Sequence, residues 1–174
     1  MTSEGKKSPV ALILLSSVFT LQCFLVVFLY LGWVDINKSG VEYAASTVMA
    51  LGSNWDYKEL SSRADPQMFA GHPESETAKI LDVISLLGKL QSLQACGGES
   101  SIEAATSHFV LIGQYQCKAT FEKDTAIVTF VFTRSYKDIL SFGNIFGHAN
   151  DNWKILRFNV ASNYLAKTAP APKP

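Results

Sequence analysis

"GQYQCKATFEKDTAIVTFVF", residues 113–132, decides the fold. Tyr115, Cys117, Ala119 and Phe121 alternate with Gln114, Gln116, Lys118 and Thr120, so an extended segment here has one apolar and one polar face. After "EKDT", Ala126, Val128, Phe130 and Phe132 repeat the pattern in phase. Two such runs joined by a tight turn predict an antiparallel hairpin with one buried face. With the turn centred between Lys123 and Asp124, Phe121 opposes Ala126, Ala119 opposes Val128, and Cys117 opposes Phe130.

Strands flank this hairpin on both sides. "LQSLQAC", residues 90–96, reads as one, followed by a polar loop from Gly97. "NWKILRFNVAS", residues 152–162, reads as the last, but its apolar residues change sides. Trp153 and Ile155 share one phase; Leu156, Phe158 and Val160 share the other. The pattern is either broken, covered on both faces, or bulged. Upstream the period becomes helical. Val41, Ala44, Ala45, Val48 and Leu51 form one stripe, and Gly52 ends it. Ser53 or Asn54 is placed to cap "WDYKELSSRADPQMF", which Pro66 divides. Ser75 is placed to cap "ETAKILDVISLLGKL", with Ile80, Val83, Ile84 and Leu87 on its buried face. Three helices and then a meander of four strands form an α+β domain over residues 41–165, with the helices on one face of the sheet.

Residues 10–34, "VALILLSSVFTLQCFLVVFLYLGWV", carry no charge over 25 positions. A helix of that length crosses a hydrocarbon core of about 30 Å with some tilt, and Tyr30 and Trp33 suit its far interface. A cleaved signal peptide has a shorter apolar region and a small-residue cleavage site; Trp33 to Ile36 offer no such site. Lys6 and Lys7 precede the span, while Asp35, Lys38 and Glu42 follow it. The positive-inside bias therefore places residues 1–9 in the cytoplasm and the rest outside it. Residues 35–40, "DINKSG", read as a polar linker, and residues 166–174 as a disordered Pro/Ala tail. Fifteen basic and fifteen acidic side chains cancel, and no basic stripe points to nucleic acid.

Cys23 lies in the span. A connection centred near residue 106 sets Cys96 opposite 116 or 117, so a disulfide to Cys117 is expected, the alternatives being two buried thiols or Cys96 in a loop. An exported domain permits that bond. His72, His108 and His148 are isolated from one another and from the cysteines, so neither a metal nor another cofactor is expected.

Several pieces in order resemble the nuclear transport factor 2-like, cystatin-like superfamily, whose members wrap a curved sheet around a long helix as a cone. They are "NWDYKEL", "LLGKLQSL", the central hairpin and "WKILRFNVAS". The W-x-I-x-x-F-x-V ending resembles that of uncharacterised membrane-anchored bacterial envelope proteins. The resemblance covers residues 41–164 and implies a bacterial inner-membrane protein with a periplasmic domain. It also implies a bulged closing strand near Ile155–Leu156, with Trp153 and Ile155 serving one layer and Phe158 and Val160 the other. The chain departs from the family pattern in "RSYKDILSFGNIFGHAND", residues 134–151. The segment is read either as longer flanking strands or a cap on the cone, or as an exposed patch of Ile139, Leu140, Phe142, Ile145 and Phe146 for a partner or the nearby bilayer.

Cone folds of this kind host both enzymes and binding modules. An acid–base enzyme needs carboxylates or histidines converging on a pocket. The apolar faces of the hairpin supply none, and Asp56, Glu59, Asp65, Asp124 and Asp151 fall at caps, turns or solvent positions. No catalytic residue is assigned. Trp55, Tyr57, Tyr115, Phe130, Phe132, Trp153 and Phe158 line an apolar pocket on one reading and form plain core on the other. The expectation is a non-enzymatic single-pass envelope protein whose exported domain binds a protein partner or a second copy of itself. The alternative is a membrane-tethered enzyme or carrier for a small apolar ligand.

Overall fold

A computed structural model describes residues 9–71, 73–104, 109–135 and 153–168. The chain divides into two compact units, Met1–Asp35 and Ile36–Pro174. Helix α1 (Pro9–Leu51) supplies the described part of the first unit and opens the second. Between Val18 and Leu31 its large side chains other than Phe28 are exposed, Phe19 at 68% and Phe24 at 72%. The helix is long and apolar enough to cross a membrane, with a mean hydropathy of 2.0 in its most apolar window. Residues 35–40 are helical and belong to α1, where the sequence suggested a linker.

In the second unit α1 is followed by α2 (Tyr57–Arg63), a 3-10 turn (Pro66–Phe69) and α3 (Glu74–Ser85). Strands β1 (Leu90–Ala104), β2 (Phe109–Phe121), β3 (Thr125–Ser135) and β4 (Lys154–Ala161) come next, and α4 (Asn163–Thr168) follows. The four strands form one antiparallel sheet in the order β1-β2-β3-β4. The α+β class and the meander are therefore as read. Arg134 and Ser135 of the expected insert belong to β3, while its residues 136–151, with the patch of Ile139, Leu140, Phe142, Ile145 and Phe146, lie outside the described residues, as do His72, His108 and His148.

Local chemistry moves several boundaries. Trp55 N–H bonds back to Leu51 O at 2.7 Å, which prolongs the turn after α1 and delays the next helix. Asp56, and neither Ser53 nor Asn54, then caps α2 by accepting from Lys58 N–H. Helix α3 starts at Glu74, one residue ahead of the expected Ser75 cap, and buries Thr77, Leu81 and Ile84. Ile80 is 55% exposed, so the inward stripe is rotated one position from the expected one. On α1 the deepest stripe is Tyr43, Ala44, Thr47, Val48 and Leu51. Helix α4 runs to Thr168, past the expected start of the tail at residue 166. The Asp124 carboxylate accepts from the Tyr164 and Thr125 backbone N–H groups, which hold it below the usual carboxylate range.

The hairpin turn is tighter than expected. Phe121 N–H donates to Asp124 O, Thr120 pairs with Thr125, and Ala119 pairs with Ala126. Tyr115 therefore faces Phe130, and Cys117 faces Val128, two residues away from the expected register. A shift of two preserves every side chain's face, so Tyr115, Cys117, Ala119, Phe121, Ala126, Val128, Phe130 and Phe132 are all buried together.

In the closing strand Phe132 pairs with Ile155 while Val131 pairs with Arg157, so Leu156 is the extra residue of a bulge. Beyond it Phe130 pairs with Phe158, and Val128 with Val160. Directly opposed residues share a face. Phe158 and Val160 thus join Ile155 on the core face, which corrects the expectation that they serve another layer. The bulge resets the alternation so that both apolar phases point the same way.

Candidate interaction surface

The second-unit part of α1 meets the sheet through a polar seam. Asn37, Ser39 and Gly40 occupy neighbouring positions at its start. Asn37 Oδ1 accepts from Ser100 N–H at 2.9 Å, and Trp153 Nε1–H donates to Ser39 Oγ at 3.1 Å. Gly40 lies against Tyr115, where a Cβ would overlap the hydroxyl and ring. The Tyr115 and Ser100 hydroxyls share a hydrogen bond of 2.6 Å. Burial pushes the Tyr115 pKa above its ordinary value, while the bond to Ser100 opposes that shift.

Four of the residues read as pocket lining come together here. Tyr115 and Phe132 have ring centroids 5.8 Å apart, Phe130 and Phe132 stack at 5.2 Å, and Trp153 lies 6.2 Å from Tyr115. These are the separations of packed aromatic rings. Phe158 is half-buried beside Phe130 in the register. Trp55 and Tyr57 lie elsewhere, Trp55 against Phe121 and Tyr57 against Phe69. The seven aromatic residues therefore divide into one packed cluster and two separate contacts. Arg134, which the sequence reading assigned to the insert, is buried near the Trp153 ring at 6.0 Å.

The titratable groups are also dispersed. Arg63 Nε pairs with Glu59 Oε1 at 2.7 Å, one turn apart on α2. Burial raises Tyr43, and the neighbouring Arg63 charge opposes it. No group of three or more His, Cys, Asp or Glu side chains could hold a metal ion among the described residues.

Strand β1 presents a different kind of site. It runs through Cys96, Gly97, Gly98, Glu99 and Ser100 to Ala104, replacing the loop expected from Gly97. Composition concealed this extension, because Gly and Ser are poor strand formers that the β2 ladder holds in place. Cys96 stands directly opposite Cys117, with their sulfurs at disulfide distance and Cα atoms 4.1 Å apart. That narrow spacing marks a pair that exchanges no backbone hydrogen bonds. The alternation puts Gly98, Ser100 and Ile102 in the same class, so their backbone N–H and C=O groups point away from β2. Ser100 N–H accordingly finds Asn37.

As the end strand of the sheet, β1 carries a strand neighbour on one side only among the described residues. Cys96 is half-buried, and Gln94, Ala95, Gly97, Gly98 and Glu99 are exposed. Over the outer face of β1 and β2, next to this edge, an open depression of about 590 Å³ is lined by Gly97, Gly98, Glu99, Gln114 and Gln116. An exposed edge with small side chains beside a polar hollow has the features that accept an added extended strand. The sequence contained one usable signal for it: a Cys96–Cys117 pairing in register carries the ladder onward past Gly97.

Comparison of the chain with protein-family models, with curated proteins and with solved structures gives no significant match.

Proposed function

We propose that this chain is a single-pass bacterial envelope protein whose exported domain binds a protein partner, as an assembly or accessory subunit. Residues 10–34 cross the inner membrane with the N-terminus in the cytoplasm, and the second unit is a nuclear transport factor 2-like domain in the periplasm. The observation that carries the binding role is the exposed edge of β1 from Gln94 to Glu99, with the polar hollow beside it. An extended segment of the partner adds to that edge by main-chain hydrogen bonds, and its side chains reach the hollow. The packed rings of Tyr115, Phe130, Phe132 and Trp153 favour this reading over a carrier of a small apolar ligand. The apposed pair Cys96–Cys117 is compatible with an oxidising compartment.

The test is co-purification of the full chain after gentle detergent extraction. Gly97 has open space where a side chain would project. Gly97→Lys should therefore leave the fold intact while placing a charged chain in the hollow. A specific co-purifying protein should fall at least about tenfold with Gly97→Lys, the loss that roughly 1.4 kcal/mol of interface energy produces. It should persist with Arg157→Glu on exposed β4. A chain that emerges alone, without self-association, overturns the reading, as does a partner indifferent to Gly97→Lys.

A further inference from the structure

The side chain with the largest hydrogen-bonding capacity in the span, a carboxamide, lies at its centre. Gln22 is the midpoint of the uncharged run 10–34, about twelve residues and thus about 18 Å of helix from either end. Thr20 returns its hydroxyl to Ser16 O at 2.8 Å. The Gln22 carboxamide is exposed on α1 and makes no hydrogen bond among the described residues. It carries two donors and a carbonyl acceptor. Hydrocarbon offers partners for none of them, and leaving them unmet costs free energy.

The positions that share the Gln22 face of the helix are Val18, Leu25, Leu29 and Gly32, at intervals of four, three, four and three residues through Gln22. That interval is the seam of a left-handed helix pair, the crossing common in membrane bundles. Val18, Leu25 and Leu29 are 55%, 57% and 61% exposed. A single amide on such a seam sets which residues of two helices lie at the same depth.

We infer that two copies of this chain pair in the membrane through this seam, with the Gln22 carboxamides hydrogen-bonded to each other across a two-fold axis. This rests on the membrane reading of residues 10–34 proposed above. Two copies inserted with the same topology bring Gln22 to the same depth without adjustment. A carboxamide is its own complement: each donates an N–H to the carbonyl oxygen of the other, as an isologous contact requires. An unrelated helix would need a matching polar group at that same depth.

The experiment uses the full chain in native membranes, with Cys23→Ser removing the exposed thiol of the span. Val18→Cys and Leu25→Cys place thiols on the seam, and Phe24→Cys places one about 200° around the helix from Gln22. Mild oxidation should yield disulfide-linked dimers of the chain at 18 and 25 and few at 24. Gln22→Leu should lower the yield several-fold to about tenfold, in the range of interhelical hydrogen bonds, and Gln22→Asn should restore part of it. Alkaline extraction is run in parallel to read membrane insertion separately. A chain that stays in the membrane with no seam-specific cross-link overturns the pairing and leaves the membrane reading standing. Cross-links to a chain of different mass overturn the second copy as the occupant. Release by alkali overturns the membrane reading and this inference together.

Discussion

Tyr115 is fully buried and enclosed by backbone on several sides. A Cβ at Gly40 on α1 would overlap its hydroxyl and ring, and one at Gly98 on β1 would run into its Cα and ring. The ring thus occupies volume that any larger residue at those two positions would claim. Its hydroxyl ends on Ser100, whose own N–H is taken by Asn37, so one short chain of polar contacts ties α1, β1 and β2. Gly40→Ala should therefore destabilise the domain by about 1–3 kcal/mol, the usual cost of overpacking a core. Tryptophan fluorescence of the full chain in detergent, followed through a urea titration, measures it. In a Tyr115→Leu background the same change should cost less, because the hydroxyl and ring it meets are gone; equal costs would show that the overlap lies elsewhere. The inward direction of Tyr115 was legible from alternation in the hairpin. The role of Gly40 was not, because "DINKSG" has the composition of a link and its partner lies 75 positions away.

At the scale of elements, β1 and β4 are the strands whose reading changed. Strand β4 announced its irregularity in sequence, since Ile155 and Phe158 cannot both point inward on a regular strand. Whether the second phase faced the same layer or another depended on the partner strand, and the pairing of Phe130 with Phe158 decides it. Strand β1 was cut short in the sequence reading because five small or polar residues after Ala95 and Cys96 look like a turn. Long-range pairing overrides that local preference. Bonded as a disulfide, the cysteine pair at this strand would close a loop of 21 residues, for which loop-closure entropy gives about 3 kcal/mol. The double variant Cys96→Ser, Cys117→Ser should lose roughly that much stability, and the unaltered chain unfolded in reductant should match it. Mass analysis without reductant, showing two free thiols in exported protein, would remove the basis for the prediction.

For the molecule as a whole, the two units imply different surroundings. The described residues of the first unit expose Phe19, Leu21, Phe24 and Val26, a surface suited to lipid. The second unit buries its apolar residues between α1, the sheet and the short helices, and turns Gln114, Gln116 and Lys118 outward. The charge difference across the span is small, with Lys6 and Lys7 on one side and Lys38 balanced by Asp35 and Glu42 on the other. A reporter fused after Pro174 should be active only where export is required, and Lys6→Glu with Lys7→Glu should reduce that activity by weakening the bias. A fusion active only in the cytoplasm would reverse the proposed topology.

The properties written in short stretches were readable without coordinates. They include the uncharged run 10–34, the apolar face of the hairpin and the α+β order. Each depends on composition or on a period that repeats within a few residues. The hairpin register, the continuation of β1 beyond Gly97 and the common face of Ile155 and Phe158 depended on pairing between distant segments. So did the glycine-lined place of Tyr115. Backbone hydrogen bonds and excluded volume act between neighbours in space, and those neighbours are set only when the sheet and α1 come together.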